Sequence, residues 1–131
     1  MKEKELLEKA IEAKAYAYVP YSNFRVGAAV LTKDGKVFTG CNIESASFGG
    51  TNCAERTALF KAISEGHREI DAIAVVSDNE SYTFPCGICR QVILEFGRKI
   101  KIIVGTPDGK TNTFTIEELL PHGFSGIDLE K

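Results

Sequence analysis

The chain has 131 residues, 44% of them apolar and 26% charged, and its 16 basic against 18 acidic side chains leave a net charge of -2. This profile excludes a disordered chain and carries no basic excess for neutralising nucleic-acid phosphates. No run nears the roughly 20 apolar residues of a membrane span, and Met1-Lys2-Glu3-Lys4-Glu5 lacks the apolar centre of a signal peptide. We therefore expect one folded domain over residues 1–131, in the cytoplasm, with neither nucleic acid nor membrane as partner.

From Lys2 to Val19 the apolar residues Leu6, Leu7, Ala10, Ile11, Ala13, Ala15 and Ala17 approximate a helical stripe, which Pro20 stops. The charged run from Lys2 to Lys9 reads as the wet face of that helix. Arg25–Thr32 and Lys36–Ile43 read as strands joined by Lys33-Asp34-Gly35, and the Asp-Gly pair predicts an antiparallel hairpin. After Gly49-Gly50, Asn52 is placed to cap a helix running to about Ser64, ended by Gly66. Ile70–Ser77 follows as a buried strand.

Pro85 precedes a helix from Gly87 to Phe96, and Lys101–Gly105 is a further strand rich in branched residues. Asp108-Gly109 is a turn, Thr111–Thr115 a last strand and Ile116–Leu120 a short helix stopped by Pro121. The tail from His122 to Lys131 shows no period. Helices alternating with strands predict a three-layer α/β/α domain around a mixed sheet of about five strands.

Four cysteines in a chain without an export signal point to thiols, ligands or nucleophiles rather than disulfides. Cys86-Gly87-Ile88-Cys89 sets two of them at a helix start, where the dipole favours thiolates; alone, this pair fits a metal site and a redox dithiol equally well. Cys53-Ala54-Glu55 brings a third thiol to another helix start, with a carboxylate two residues on. Three thiolates leave one tetrahedral position open for a water, which a catalytic zinc site needs and a structural site does not. Glu55 then has the chemistry to take a proton from that water and return it to a ring nitrogen and a leaving amine. Metal, water and proton shuttle together match the general zinc-deaminase pattern of His/Cys-x-Glu followed by Pro-Cys-x-x-Cys. His67 and His122 lie in polar stretches next to glycines and read as solvated loop residues. Cys41, within a predicted strand, reads as a small buried side chain.

The chain resembles the small, all-cysteine class of cytidine deaminases. The resemblance is carried by Pro20-Tyr21-Ser22-Asn23-Phe24-Arg25-Val26-Gly27-Ala28-Ala29, Gly40-Cys41-Asn42-Ile43-Glu44, Cys53-Ala54-Glu55-Arg56 and Pro85-Cys86-Gly87-Ile88-Cys89-Arg90-Gln91. Leu119-Leu120-Pro121 and Phe124-Ser125 extend it to nearly the whole length. It implies one zinc ion per subunit on Cys53, Cys86 and Cys89, with Glu55 as the catalytic acid and base. Phe24 would pack on the pyrimidine, Asn42 and Glu44 would bind the ribose hydroxyls, and the Ala54 N–H would hold the base carbonyl. Arg56 would offset the negative charge of three thiolates. The family is typically a homotetramer, in which Phe48 and Phe124 would reach a neighbouring subunit's site; relatives often carry Tyr where Phe48 stands, so that hydroxyl is absent here.

The expected reaction is deamination of cytidine and deoxycytidine to uridine and deoxyuridine with release of ammonia, as in pyrimidine salvage. The competing readings are a deaminase of a cytosine nucleoside antibiotic of the blasticidin S type, a nucleic-acid-editing deaminase, and a non-catalytic zinc or dithiol module. Asn42 with Glu44 speaks against the first, a composition without basic excess against the second and Glu55 against the third.

Overall fold

The computed structural model describes residues 1–129. Five strands, β1 (Val26–Thr32), β2 (Val37–Cys41), β3 (Ile70–Ser77), β4 (Lys101–Gly105) and β5 (Thr111–Thr115), form one sheet in the order β2-β1-β3-β4-β5. Only β3 and β4 run parallel, joined across helix α3 (Gly87–Leu94); all other pairs are antiparallel. Helix α1 (Glu3–Lys14) covers one face of the sheet, and α2 (Ala54–Ser64) with α3 covers the other. A short α4 (Ile116–Leu119) follows β5.

The strands in the middle of this arrangement are covered on both faces, so they read as apolar runs rather than alternating ones. In β3, Ile73 and Val75 face the α2 side and Ala72, Ala74 and Val76 face α1. The small alanines on the α1 side let Leu6, Leu7 and Ala10 pack close to the sheet. Each fully buried leucine contributes on the order of 1.5–3 kcal/mol.

The hairpin turn forms as its Asp-Gly pair predicts, with Gly35 in the left-handed region at φ 88° and β1 paired to β2. Helix α2 ends in a glycine cap. Gly66 takes φ 94°, its N–H bonds Ile63 C=O, and the His67 N–H bonds Ala62 C=O. Threonine and glutamate close the start of α4 reciprocally, the Thr115 hydroxyl accepting from Glu118 N–H and the Glu118 carboxylate from Thr115 N–H.

Several boundaries differ from the sequence reading. The first helix stops at Lys14 rather than Val19, because the following segment finds tertiary partners: Tyr18 N–H donates to Asn42 C=O at 3.0 Å and Glu44 N–H to Tyr18 C=O at 2.9 Å. The second strand ends at Cys41; Ile43 instead forms isolated bridges with Tyr18 and Asn52. The helix expected to be capped by Asn52 is entered at Cys53, while the Asn52 side chain donates to the Thr57 hydroxyl. Helix α3 stops at Leu94, two residues early. The tail without a period contains one 3-10 turn at Gly126–Leu129; Glu130 and Lys131 lie outside the described residues.

Candidate active site

The ends of α2 and α3 meet at their N-termini. Cys53 and Cys86 occupy the N-cap positions of the two helices, and Cys89 sits in the first turn of α3. The Cys86 sulfur accepts the Cys89 N–H at 3.4 Å, filling one of the donors that a helix start leaves free. The three sulfurs lie within 4.8 Å of one another, and among the described residues no other ligand atom joins the group. The Cys53 and Cys86 sulfurs are 3.7 Å apart. Zinc–sulfur bonds of about 2.3 Å at a tetrahedral angle would set two sulfurs about 3.8 Å apart, so the cluster has the size and donor chemistry for zinc.

The electrostatics fit a cation held there. Hydrogen bonding from Cys89, then from Arg56 and Cys86, draws the Cys53 thiol down to about 5 against the opposing effect of burial. The same bond, with burial and the Glu55 charge, pushes Cys89 up. Three sulfurs this close cannot all ionise without a positive partner. Arg56 supplies part of it, its Nη2 donating to Cys53 Sγ at 3.4 Å. The Arg56 Nε is buried with no hydrogen-bond partner among the described residues.

Glu55 points inward from the first turn of α2 and is 4% exposed. Burial, with the Cys53 charge adding to it, raises its pKa to about 7, while its own backbone N–H and Arg56 act in the other direction. A carboxyl group poised near neutrality both accepts and releases a proton readily. Ala54 is the first residue of the same helix, so its N–H has no intrahelical acceptor.

Phe24, Asn42 and Glu44 are joined to the segment before Cys53 by hydrogen bonds and one bridge. Ile43 pairs with Asn52, the residue before Cys53, and carries Asn42 and Glu44 on either side of it. The Asn42 amide accepts Val26 N–H and donates to Phe24 C=O, both at 2.9 Å. Glu44 Oε1 accepts the N–H groups of Tyr21 and Ser22 at 3.0 Å, and its other oxygen accepts the Ser22 hydroxyl. These bonds hold the Glu44 carboxyl below the usual carboxylate range, the Ser22 hydroxyl contributing most. Tyr21, Ser22, Glu44, Ser45, Phe48 and Thr51 line a cleft of about 270 Å³.

Phe24, Phe48 and Phe124 are all exposed aromatics, Phe48 most so at 81%. Phe124 is tethered through its C=O to the Gln91 side-chain amide on α3. His67 departs from the solvated reading: it packs on Phe38 with ring centroids 5.3 Å apart and faces Asp34 at 3.3 Å. His122 is exposed. Cys41 is half-buried and outside the sulfur cluster, in a separate cleft with Tyr16 and Lys61.

Sequence reasoning assigned no role to Ser22, Asp78 or Arg90. Arg90 bonds Pro85 C=O and Leu119 C=O, both at 2.8 Å, and so fixes the residue before Cys86 against the end of α4. Asp78 binds Arg25 by main chain and side chain. Ser22 and Arg90 each had a signal, their places within the Pro20–Ala29 and Pro85–Gln91 motifs; Asp78 had none.

Comparison with known proteins agrees with this geometry. Residues 1–106 match the family model described as the cytidine and deoxycytidylate deaminase zinc-binding region. A cytidine deaminase of Halalkalibacterium halodurans is 54% identical over 125 residues, 95% of each chain. A probable cytidine deaminase of Dictyostelium discoideum is 48% identical over 95% of this chain and 88% of its own. Among solved structures, the cytidine deaminase of Burkholderia pseudomallei superposes with a TM-score of 0.91 at 48% identity, covering 95% of this chain and all of that one. That of Mycobacterium tuberculosis gives 0.83 at 42%, over 95% and 98%. With about four-fifths of this chain matched by the zinc-binding-region model and relatives aligned nearly end to end, the chain belongs to the cytidine and deoxycytidylate deaminase family.

Proposed function

We propose that this chain is one domain over residues 1–131 that hydrolyses cytidine and deoxycytidine to uridine and deoxyuridine, releasing ammonia. The observation that carries this reading is the meeting of three cysteine sulfurs with a buried carboxyl two residues beyond one of them. The relatives named above are cytidine deaminases, which supports the same substrate class. A structural zinc module has no use for Glu55 and would want a fourth ligand, which the cluster lacks among the described residues.

Cys53, Cys86 and Cys89 hold one zinc ion per subunit. When bound, the metal supplies Lewis acidity that brings the pKa of water toward about 7. Glu55 takes a proton from the attacking water and delivers it to the ring nitrogen beside the reacting carbon. It then carries the second proton to the amino group, which leaves as ammonia when the carbon–nitrogen bond breaks. The Ala54 N–H binds the base carbonyl and Phe24 packs on the ring. Asn42 and Glu44 bind the sugar hydroxyls: each keeps unused capacity after its local bonds, one N–H and one lone pair on the Asn42 amide and one lone pair on Glu44 Oε2. Arg56 balances the thiolate charge.

We place the enzyme in the cytoplasm as a homotetramer. The first part is supported by the three clustered thiols Cys53, Cys86 and Cys89, which a zinc site needs reduced. The second is supported by two exposed aromatics, Phe48 lining the cleft and Phe124 beside α3, which reach a neighbour's site. Following cytidine absorbance and ammonia release by zinc-replete protein, with Glu55→Ala as control, tests the function. Turnover by the parent and none by the zinc-loaded variant is expected; a variant that turns over normally would remove Glu55 from the reaction.

A further inference from the structure

Residues 24–26 lead into β1 where the strands on either side of it end. The β1–β2 ladder ends at Gly27 opposite Cys41, and the β1–β3 ladder at Val26 opposite Ser77. Beyond those ends, side chains and turn amides take over the pairing. Phe24 N–H donates to the Ser22 hydroxyl at 3.1 Å, and Phe24 C=O accepts from Asn42 Nδ2. Arg25 N–H donates to Asp78 Oδ2 at 3.0 Å, and Arg25 C=O accepts from Asp78 N–H at 3.1 Å. Val26 N–H donates to Asn42 Oδ1, and Val26 C=O accepts Asn42 N–H at 3.2 Å. All six main-chain polar groups are therefore bonded, from Ser22 and Asn42 on one side and from Asp78 on the other.

Asp78 is the more heavily engaged partner. Its Oδ2 also accepts Arg25 Nε at 3.1 Å, and its Oδ1 accepts Arg25 Nη2 at 3.0 Å and faces Lys14 Nζ at 3.1 Å. Lys14 reaches in from the end of α1, donates to Ser77 C=O and is 11% exposed at its side chain. A charge so covered needs its partner. Arg25, then Lys14, hold the Asp78 carboxyl down at about 2, so it stays ionised at any working pH. Phe24 itself is 40% exposed, and its hydrogen bonds are those of its main chain, to Ser22 and Asn42.

We propose that Asp78 is a positioning residue for Phe24: with Arg25 and Lys14 it fixes the 24–26 main chain and so presents the aromatic ring to the nucleoside. This rests on the reading that Phe24 packs on the base. The device acts on substrate binding and leaves bond breaking to α2 and α3, with which Asp78 forms no hydrogen bond or ion pair among the described residues.

Steady-state kinetics with cytidine on zinc-loaded Asp78→Asn, Phe24→Ala and the double variant test it. Asparagine keeps the shape but loses the charge and sets an NH2 group against two cations. The KM of Asp78→Asn should rise about tenfold, the worth of one charge-assisted bond, with kcat within about twofold and zinc content at the parent's level. In the Phe24→Ala background the same substitution should add less than about twofold, because the ring it serves is gone. Arg25→Gln, whose side chain is half exposed, should raise KM about threefold and carries the test if Asp78→Asn does not fold. A parental KM in Asp78→Asn or in Arg25→Gln, a full tenfold effect persisting without Phe24, or a loss falling on kcat would each overturn the proposal. Phe24→Ala with a parental KM would instead sink the base-packing reading on which it stands.

Discussion

Arg56 Nη2 donates to Cys53 Sγ at 3.4 Å from one turn further along the same helix. The spacing of three residues brings a guanidinium back over the N-cap, so a single helix start carries a ligand, its counter-charge and, between them, the buried Glu55. Removing the cation leaves the sulfurs to share their charge alone. Arg56→Ala should weaken zinc retention by about 10- to 100-fold, the usual cost of losing a group that orients and balances a ligand. Zinc release to a chromogenic chelator, followed against competing chelator concentration, checks this; parental retention would mean the sulfurs need no outside cation.

The separation of Cys41 from the cluster predicts a contrast between cysteines. Cys89 has no exposed surface and its sulfur stands within 4.8 Å of the other two. Cys89→Ala should purify with zinc well below one ion per chain and without activity, whereas Cys41→Ser should keep both. Metal content by atomic absorption reads the difference directly.

Gly40 lies where β2 passes beneath α2. A β-carbon there would stand 2.5 Å from Ala58 N and 2.8 Å from Ala54 O, both main-chain atoms that cannot swing aside. Gly40→Ala should therefore push the start of α2 off the sheet, costing about 1–3 kcal/mol of stability and loosening the segment that holds Cys53 and Glu55. Chemical denaturation with parallel activity measurements should show both losses. Full activity in a destabilised variant would separate the packing from the site.

Acid should reveal the Asp78 network. Its folded pKa of about 2 lies below the roughly 3.9 of a free aspartate, so the network's stabilisation is complete above about pH 5 and is lost as pH falls toward 2. Asp78→Asn should show a shallower fall of melting temperature with decreasing pH across that window. Equal slopes for parent and variant would show that Asp78 does not sense this range.

The cap of α4 offers a stability test away from the site. Thr115→Ala removes the hydroxyl that accepts Glu118 N–H and should cost about 1 kcal/mol in chemical denaturation, with activity kept.

The amino-acid sequence by itself determined the chemistry and most elements. Ile70–Ser77, Lys101–Gly105 and Thr111–Thr115 were bounded correctly because apolar or branched runs and turn residues are local signals. Cys53-Ala54-Glu55 and Pro85-Cys86-Gly87-Ile88-Cys89 were legible for the same reason: ligand spacing on a helix start is written in consecutive residues. What only the tertiary structure decided depends on partners distant in the chain. The first helix stops at Lys14 because Tyr18 finds Asn42 and Glu44, and no local pattern announces that bond. His67 rests on Phe38 and Asp34, brought to it by the hairpin. Asp78 reaches Arg25 across 53 residues, because the sheet sets the exit of β3 beside the entry of β1. Such contacts depend on the order of strands in the sheet, and that order is settled by how whole faces bury against helices rather than by any short stretch of residues.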